Sequence, residues 1–421
     1  MKQTEIIKDE FVYEYRLANG LDVFIHPKPR FIQTFVSLHV NFGGRDFRYR
    51  LDNENYKLPQ GTAHFLEHML FENNGSSLSD YFLNNNADIN AYTARTMTSY
   101  YFRTKNNFED LLNRLLNNFV DYDFSEKSIK KEFKIISQEL SMNDDSDETK
   151  AFKSLQRLMY KDESFNVQVG GTKTSIKEIN KLVLKQATDH FYHPANMRLL
   201  ISGNVNPQDV INQLENHIFT KKAWPKFKEI QREVTLEDKG RHLFRKKIKG
   251  LNTNIIEIGI KIPANVFNSP DHFLLTDPFI ELAFNPSFSV YKLLKVRNFY
   301  NNNFSISPVY DDDYSFINIS MQTKKVKLFE KTIIELMEAI NKLKITEKIF
   351  GAYNRSQIGS YIKNLDDLKA SHNLIESLIA SNVDISTYFE KKKKVKLSDF
   401  EVYKDIFKKE NLYIVEYLQE S

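Results

Sequence analysis

The sequence predicts an α+β protein of two related halves, each a largely antiparallel sheet packed with helices. The chain of 421 residues is too long for one ordinary core. Strand-like and helix-like segments follow the same order in both halves, without obvious sequence identity. A polar, aperiodic stretch at about 220–241 reads as a linker, which gives predicted domains of 1–235 and 236–421.

The first half opens with a predicted hairpin and continues with helices and strands in turn. Strand-like residues at 11–17 and 21–25 flank Asn19-Gly20, the dipeptide suited to a type I′ turn. The other predicted elements of this half are a strand at 34–42, helices at about 62–74 and 77–86, strands at about 88–94 and 98–105, several helices within 107–192 and a strand at 197–203.

The second half has a similar order of predicted elements, which is the basis for predicting a repeat. Its sequence indicates strands near 243–248 and 253–262, helices near 271–297, strands near 303–321, a long helical stretch and a last strand at 412–418.

The composition excludes several classes of function. The formal charge of +4 comes from 59 basic and 55 acidic side chains, a balance that does not favour a nucleic-acid partner. Cysteine is absent, which excludes disulfides, thiolate ligands and cysteine nucleophiles and agrees with a reducing compartment. Any metal must therefore be bound by histidine and carboxylate side chains.

The sequence shows no signal for a membrane or for secretion. The first ten residues lack the apolar centre of a signal peptide, and no stretch of about 18 apolar residues could span a bilayer. We therefore expect no membrane span and a cytoplasmic location.

The segment His64-Phe-Leu-Glu67-His68 carries the chemistry of the first half. Positions four apart lie on one face of a helix, so His64 and His68 can direct imidazole nitrogens at one ion. Glu67 lies on the same side, where a carboxylate can take a proton from water activated by zinc. The pattern predicts a metal-dependent hydrolase.

An ordinary amphipathic helix with this spacing is the competing interpretation. Such a match arises by chance in roughly one or two chains per hundred. The surrounding residues favour the metal, because they make the helix apolar nearly all round and so bury three ionisable groups. Burial without partners would cost several kcal/mol, which metal binding offsets. These apolar residues are Phe65, Leu66, Met69, Leu70 and Phe71.

A third ligand is expected on a separate element. In the segment 130–140, a helical apolar stripe accompanies Glu132 and Glu139, which lie two turns apart on one face. Taken alone, either glutamate reads as a solvated helix residue. Beside the histidine motif, one becomes a candidate ligand and the other a supporting carboxylate.

These residues together resemble the pitrilysin/insulinase family of metallopeptidases, the inverzincins, whose signature is H-x-x-E-H. The resemblance covers residues 40–205 in the right order, whereas the second half matches mainly in length and element order. It rests on the segments 61–72, 90–93, 171–176, 191–197 and 203–205, with the Glu132 and Glu139 pair.

The resemblance implies a role for each residue of the motif. It makes Glu139 the third ligand of a Zn²⁺ ion, Glu132 a carboxylate that supports the site, and Glu67 the general base. Family members bind a peptide substrate as an added strand on a sheet edge. In this chain that edge would contain Asn90, Ala91 and Tyr92, although a turn residue at the strand entry is the competing interpretation of Asn90.

One departure from the family pattern concerns the second half. Many members grip the carbonyl being cleaved with an arginine and a tyrosine in a segment like L-R-x-x-x-G-L-x-Y. Here Lys295 replaces the arginine and Asn301 stands near the tyrosine position, although Arg297 and Tyr300 lie close by and could take over after a shift of register. This pattern resembles the active subunit of paired bacterial members.

The functional prediction is a zinc-dependent endopeptidase that works with a sister subunit as a heterodimer, or as a homodimer. By the same resemblance, some pairs mature ribosomally made precursor peptides of the bacteriocin or pheromone type. The alternative is a non-catalytic protein of the same fold, either a zinc-carrying peptide-binding module or a scaffold subunit.

Overall fold

The computed structural model describes residues 1–71, 77–143, 146–232, 234, 236–237, 240–263, 272–286, 288–310 and 313–420. They form two compact units. The first comprises Met1–Asn143, Val167–Glu233 and Ile362–Ser386, and the second comprises Asp144–Asn166, Val234–Tyr361 and Thr387–Ser421.

The strands are numbered along the chain. They are β1 (Lys2–Ile7), β2 (Glu10–Arg16), β3 (Asp22–Pro27), β4 (Thr34–Val40), β5 (Arg48–Leu51), β6 (Glu54–Lys57), β7 (Asp88–Thr93), β8 (Thr98–Thr104), β9 (Met197–Gly203), β10 (Leu243–Ile248), β11 (Ile255–Lys261), β12 (Phe304–Tyr310), β13 (Ser315–Gln322) and β14 (Leu412–Gln419).

The helices are numbered in the same way. They are α1 (Thr62–Phe71), α2 (Leu78–Asn84), α3 (Phe108–Asn117), α4 (Glu126–Asn143), α5 (Asp147–Met159), α6 (Lys173–Ile176), α7 (Lys181–Phe191), α8 (Pro207–Asn216), α9 (Ile218–Lys221), α10 (His272–Ala283), α11 (Ser289–Val296), α12 (Val326–Asn341), α13 (Glu347–Leu365), α14 (Leu368–Ala380), α15 (Ile385–Lys392) and α16 (Glu401–Lys404).

The main sheet of the first unit has the strand order β1-β2-β3-β9-β4-β8-β7. Neighbouring strands are antiparallel except β3 and β9, which are parallel. Val36 and Leu38 of β4 and Phe102 of β8 point to the face that carries the core, as the two-residue period of a strand requires. The core residues of α1, α3 and α7 belong to the same apolar cluster.

The sheet of the second unit has the order β10-β14-β11-β13-β12. Its parallel pair is β10 and β14, and its other neighbours are antiparallel. Strand by strand, this order corresponds to β3-β9-β4-β8-β7 of the first unit. The α+β class and the repeated order of elements predicted from the sequence are therefore confirmed.

The two units differ from the two contiguous halves, 1–235 and 236–421, that the sequence suggested. Helix α5 comes from the first half of the chain but packs on β11 and β14 of the second unit. Helix α14 comes from the second half but packs on β4 and β9 of the first. Because both helices follow a long surface helix, local sequence gives no sign of which sheet each one covers.

Several boundaries refine the sequence prediction. The hairpin at Asn19-Gly20 is present, and Gly20 has a left-handed φ of +93°. Its turn is not type I′, because that type needs a positive φ at both central residues and Asn19 does not have one. Strand β1 and the β5–β6 hairpin were not predicted. Residues 72–74 of the predicted helix 62–74 lie outside the described residues. Within the predicted linker, Arg50 and Gln231 exchange backbone hydrogen bonds.

No helix within the described ranges is both long enough and apolar enough to cross a bilayer.

Candidate metal centre and active site

Helix α1 presents two imidazoles on one face. Gly61, with a φ of +92°, turns the chain into the helix, and the Thr62 hydroxyl donates to the Pro59 carbonyl at 2.7 Å. His64 and His68 follow one turn apart, and their ring centroids are 4.8 Å from each other. The apolar residues between them are buried, so packing fixes the direction of both rings.

Helix α4 brings a carboxylate to each imidazole. Glu139 Oε1 lies 3.7 Å from His64 Nε2, and Glu139 Oε2 lies 3.6 Å from His68 Nε2. Two turns earlier on α4, the buried Glu132 accepts from His68 Nδ1 at 3.2 Å. This bond leaves the His68 Nε2 lone pair directed toward Glu139.

The donor set fits a zinc ion. One ligand atom from each of His64, His68 and Glu139 lies within 4.8 Å of the others, and within the described part of the chain this is the group of three that could hold a metal. Two imidazoles and one carboxylate suit zinc and leave a coordination position free. We call these three residues the metal centre.

A segment with two adjacent glycines packs against the Nδ1 side of the His64 ring. A side chain on Gly170 would come within 3.5 Å of His64 Nδ1 and 2.9 Å of a Leu140 methyl group. Gly171 has a φ of +75° and lies against the Gln60 carbonyl, which also accepts a 2.7 Å bond from the Ser175 hydroxyl. The start of α1 is therefore held by close backbone contact that a larger residue would obstruct.

Burial and neighbouring charges act differently on the two histidines. Burial lowers the pKa of His64 to about 4, with a further contribution from His68 that outweighs the opposing effect of Glu139. Burial also opposes protonation of His68, but the bond to Glu132 and the charges of Glu67, Glu132 and Glu139 raise its pKa. His64 is thus in the neutral form that binds metal at neutral pH.

Glu67 points toward strand β7 and is 9% exposed. The Thr93 hydroxyl, on the last residue of β7, donates to Glu67 Oε2. Burial raises the pKa of Glu67, and the Thr93 bond opposes this rise. The carboxylate is therefore held in one orientation and is more basic than an exposed glutamate.

Strand β7 is the outer strand of the described sheet and pairs with β8 alone. It contains three of the residues predicted to hold substrate, Asn90, Ala91 and Tyr92. The Ala91 N–H donates to Asn90 Oδ1 at 2.8 Å instead of to β8, so an incoming strand could take it over. Tyr92 is 38% exposed and has its ring centroid 6.1 Å from that of Tyr101, and burial, then Glu376, raises its pKa to about 12.

The other predicted substrate residues lie in the second unit. Lys295 is exposed in the last turn of α11, and Tyr300 is 51% exposed with its ring centroid 4.5 Å from that of Tyr291. Arg297 is bonded to helix α12: its guanidinium donates to Thr332 Oγ1 at 2.9 Å and to Glu335 Oε2 at 2.6 Å.

Sequence reasoning missed two residues that shape the site. Thr93 was quoted only as the end of the Asn90–Thr93 segment, and its contact with Glu67 depends on how α1 packs on β7. Gly170 precedes the quoted Gly171 segment and gave no chemical signal of its own. The paired glycines were a usable sign, because adjacent glycines mark a close backbone approach.

Two family models match consecutive parts of the chain. Residues 37–173 match the model described as Insulinase (Peptidase family M16). Residues 178–356 match the Peptidase M16 inactive domain. The first match contains the whole metal centre and Glu67, and the second contains Lys295, Arg297 and Tyr300.

Curated relatives give the same result. The chain is 31% identical over 367 residues to the uncharacterized zinc protease YmfH of Bacillus subtilis, an alignment that covers 85% of this chain and 84% of YmfH. It is 27% identical over 209 residues to the mitochondrial-processing peptidase subunit beta of Lentinula edodes, covering 48% of this chain and 42% of that protein.

Solved structures share the fold over almost the whole chain. An M16-like peptidase from Alicyclobacillus acidocaldarius superimposes with a TM-score of 0.86 at 22% identity, covering 98% of this chain and 99% of that one. A protease from Helicobacter pylori superimposes with a TM-score of 0.76 at 19% identity, covering 97% and 99%.

Proposed function

Because the chain belongs to the insulinase family of zinc peptidases, family M16, we propose that it is an endopeptidase that cleaves extended peptide segments laid beside strand β7. One observation carries the proposal. The Thr93 hydroxyl at the end of β7 donates to Glu67, which lies on the same helix as His64 and His68. A strand added to β7 would therefore run past the proton acceptor and the metal centre.

His64 Nε2, His68 Nε2 and the Glu139 carboxylate would hold the zinc ion. When bound, zinc would supply Lewis acidity for the attacking water and for the carbonyl group being cleaved. Glu132 keeps the His68 ring in the tautomer that has a free Nε2 lone pair.

Glu67 takes the proton from the attacking water. One of its oxygens is bonded to Thr93, which leaves the other available for this transfer. Because burial raises its pKa, the same carboxyl can hold the proton long enough to deliver it to the leaving amine.

Substrate binding would use the backbone more than side chains. The free edge of β7 offers backbone groups to an added strand, and the Ala91 N–H now bonded to Asn90 is one of the donors. Such a site selects unstructured or extended segments, since a folded segment has its backbone groups already paired.

An assay on an unstructured fluorogenic peptide tests this activity. We expect hydrolysis that is lost with a zinc chelator and restored by added zinc, and that is absent in Glu139→Gln. A protein that binds the peptide and the metal but never cleaves it, alone or co-purified with a partner, would instead be the non-catalytic binding module or scaffold.

The proposal includes a second chain of the same family as partner. The family's carbonyl-gripping arginine is replaced by Lys295, and the nearby Arg297 is engaged by Thr332 and Glu335. These two contacts hold the guanidinium against α12. The relative from Lentinula edodes is named as one subunit of a processing peptidase, which also supports a pair.

Two variants distinguish this pair from a self-sufficient chain. Arg297→Ala removes the guanidinium. Glu335→Ala breaks the same ion pair but leaves the guanidinium of Arg297 in place. If a sister subunit supplies the grip, both variants keep turnover within about threefold of the parent when co-expressed with the genomic neighbour. Loss of roughly a hundredfold in Arg297→Ala alone would make Arg297 the carbonyl donor.

We propose precursor-peptide processing as the biological role, supported by the edge-strand site and by the processing peptidase among the relatives. Mass spectrometry of a small peptide encoded beside the gene, incubated with the co-expressed pair, tests this. A single cleavage that disappears in Glu67→Gln is expected, whereas an intact peptide would remove this substrate class and leave the general peptidase activity in place.

A further inference from the structure

A groove on the first unit lies between α4 and the segment that joins α6 to α7. It has a volume of about 770 Å³, within the range of ordinary ligand sites. Its floor is apolar: Ile129, Ile176 and Ile179 are 9%, 1% and 5% exposed, and Phe133 is half-buried. Leu182 stands at its side and is 78% exposed.

Lysines surround this apolar floor. Lys130, Lys134, Lys177 and Lys181 all line the groove, against a single lining carboxylate, Glu126. We call this site the lysine-rimmed groove.

The rim lysines are mostly available to a ligand. Lys130 pairs with Glu126 at 3.9 Å and Lys181 with Asp123 at 3.2 Å, both in exposed positions where such pairs are weak. Lys134 and Lys177 have no ion-pair partner among the residues that the structure describes. Two of the four rim lysines therefore keep a positive charge that no carboxylate among the described residues pairs with.

We propose that the lysine-rimmed groove binds an acidic amphipathic helix of a partner protein. The basic rim complements acidic side chains, and the apolar floor accepts the apolar stripe between them. The lining residues belong to helices and to the short segment between α6 and α7, and none of them lies on a strand, so no strand edge is available for pairing with an extended peptide. Ile129 and Phe133 lie one turn apart on α4, a spacing that suits the i, i+4 anchors of a helix.

A membrane surface fits the groove less well. The three isoleucines of the floor are at least nine-tenths buried, so a flat bilayer could reach Leu182 but not these isoleucines. A helix that inserts its own side chains can reach them. Neither the metal centre nor Glu67 lines the groove, so this binding can be measured without hydrolysis.

Two synthetic helices of about 18 residues test the proposal by fluorescence anisotropy on the full chain. Both have leucine at positions i, i+3, i+4 and i+7, and their remaining positions are glutamate in one and lysine in the other. We expect the glutamate helix to bind and the lysine helix to bind at least about tenfold more weakly. Raising the salt from about 0.05 M to about 0.5 M should weaken the glutamate helix.

A charge reversal locates the site. Lys134→Glu combined with Lys177→Glu should weaken the glutamate helix roughly tenfold or more. Lys8→Glu combined with Lys105→Glu makes the same change of net charge at exposed positions outside the groove and should leave binding unchanged. Leu182→Asp should weaken binding without altering the rim lysines.

Several results would overturn the proposal. Equal binding of the two helices would show that the charge of the rim plays no part in binding. Equal affinity in the two double variants would show non-specific charge attraction. Binding to anionic vesicles without binding to the glutamate helix would make the groove a membrane site. Absence of binding to the glutamate helix up to about 1 mM would show that it takes no such partner.

Discussion

Helices α1 and α10 hold the same place in the element order of the two units but carry different chemistry. Each has two ionisable side chains four residues apart: His64 and His68 in α1, Asp277 and Glu281 in α10. In the first unit the helix α4 supplies Glu139 to both imidazoles. In the second, α13 holds the corresponding place and supplies Gln357.

In the second unit, neutral groups donate hydrogen bonds to both carboxylates of α10. Tyr310 donates to Asp277 Oδ2 at 3.3 Å, and Gln357 Nε2 donates to Glu281 Oε2 at 2.6 Å. An amide nitrogen and a phenol satisfy carboxylate oxygens, whereas two imidazoles and a carboxylate can offer nitrogen and oxygen lone pairs to one ion. The same arrangement of backbone elements is thus a metal centre in one unit and a hydrogen-bonded polar cluster in the other.

The largest effect is expected for Glu67→Gln. The amide is close to the carboxylate in size and leaves every ligand in place, but it cannot accept the proton from water. Turnover should fall by roughly 10³-fold to 10⁴-fold while bound zinc and the unfolding temperature stay unchanged. Measurements of peptide hydrolysis and of metal content on the same sample check the loss of turnover and the retention of zinc. Turnover near that of the parent would show that Glu67 is not the general base.

A smaller effect is expected for Glu132→Gln, which loses the charge beside His68 Nδ1 but keeps the position filled. Zinc affinity should fall by roughly tenfold to a hundredfold, as for other carboxylates that orient a ligand histidine. Competition with a calibrated chelator measures it. Glu126→Gln, an exposed change on the same helix, is the matched control, and equal affinities in the two variants would exclude a supporting role for Glu132.

Thr93→Val should lower turnover by about tenfold with zinc retained, because Glu67 loses the hydrogen bond that fixes its orientation. Thr93→Ser restores the hydroxyl and should recover most of the rate. Equal rates in the valine and serine variants would mean that the methyl group or the strand position matters, and not the bond to Glu67.

The smallest catalytic effect is expected in the second unit. Asp277→Asn should change neither zinc content nor turnover by more than about twofold, since no step of the chemistry uses this residue. A clear loss of zinc would contradict the division of roles between the two units.

Asp277→Asn should also change how the free energy of unfolding depends on pH. Burial, with a smaller contribution from Glu281, raises the pKa of Asp277 to about 6, against the lowering effect of the hydrogen bond from Tyr310. The folded state therefore holds this proton more tightly than the unfolded chain, so the free energy of unfolding of the parent declines as pH rises from about 4 to about 6. Asp277→Asn removes that decline, and urea unfolding at both pH values should show a relative gain on the order of 1 kcal/mol at the higher pH.

The fold class and most elements could be predicted because their signals are local. Alternating strands, the Asn19-Gly20 turn and the apolar helix around His64 each show their period within a short window. The exchange of α5 and α14 could not be predicted. α14 contacts its sheet partly through polar groups, with His372 between Ser37 and Ser202, and no pattern in the sequence pairs residues so far apart.

In the candidate site, too, the residues with a local sequence signal could be predicted and the others could not. The spacing of the motif is enough to identify His64, Glu67 and His68 as candidates. The family resemblance selected Glu139 over Glu132 as the third ligand, and in the structure Glu139 lies next to both imidazoles. Thr93 and Gly170 act through contacts between segments that are distant in the sequence, so their residue types alone could not predict a role in the site.

The most direct test of the metal centre is anomalous diffraction at the zinc absorption edge from crystals grown with zinc. We expect one peak in each chain, bounded by His64 Nε2, His68 Nε2 and the Glu139 carboxylate, with Glu132 on the far side of the His68 ring. A peak beside Asp277 and Glu281, a peak ligated by Glu132 in place of Glu139, or no peak at His64 and His68 would contradict it.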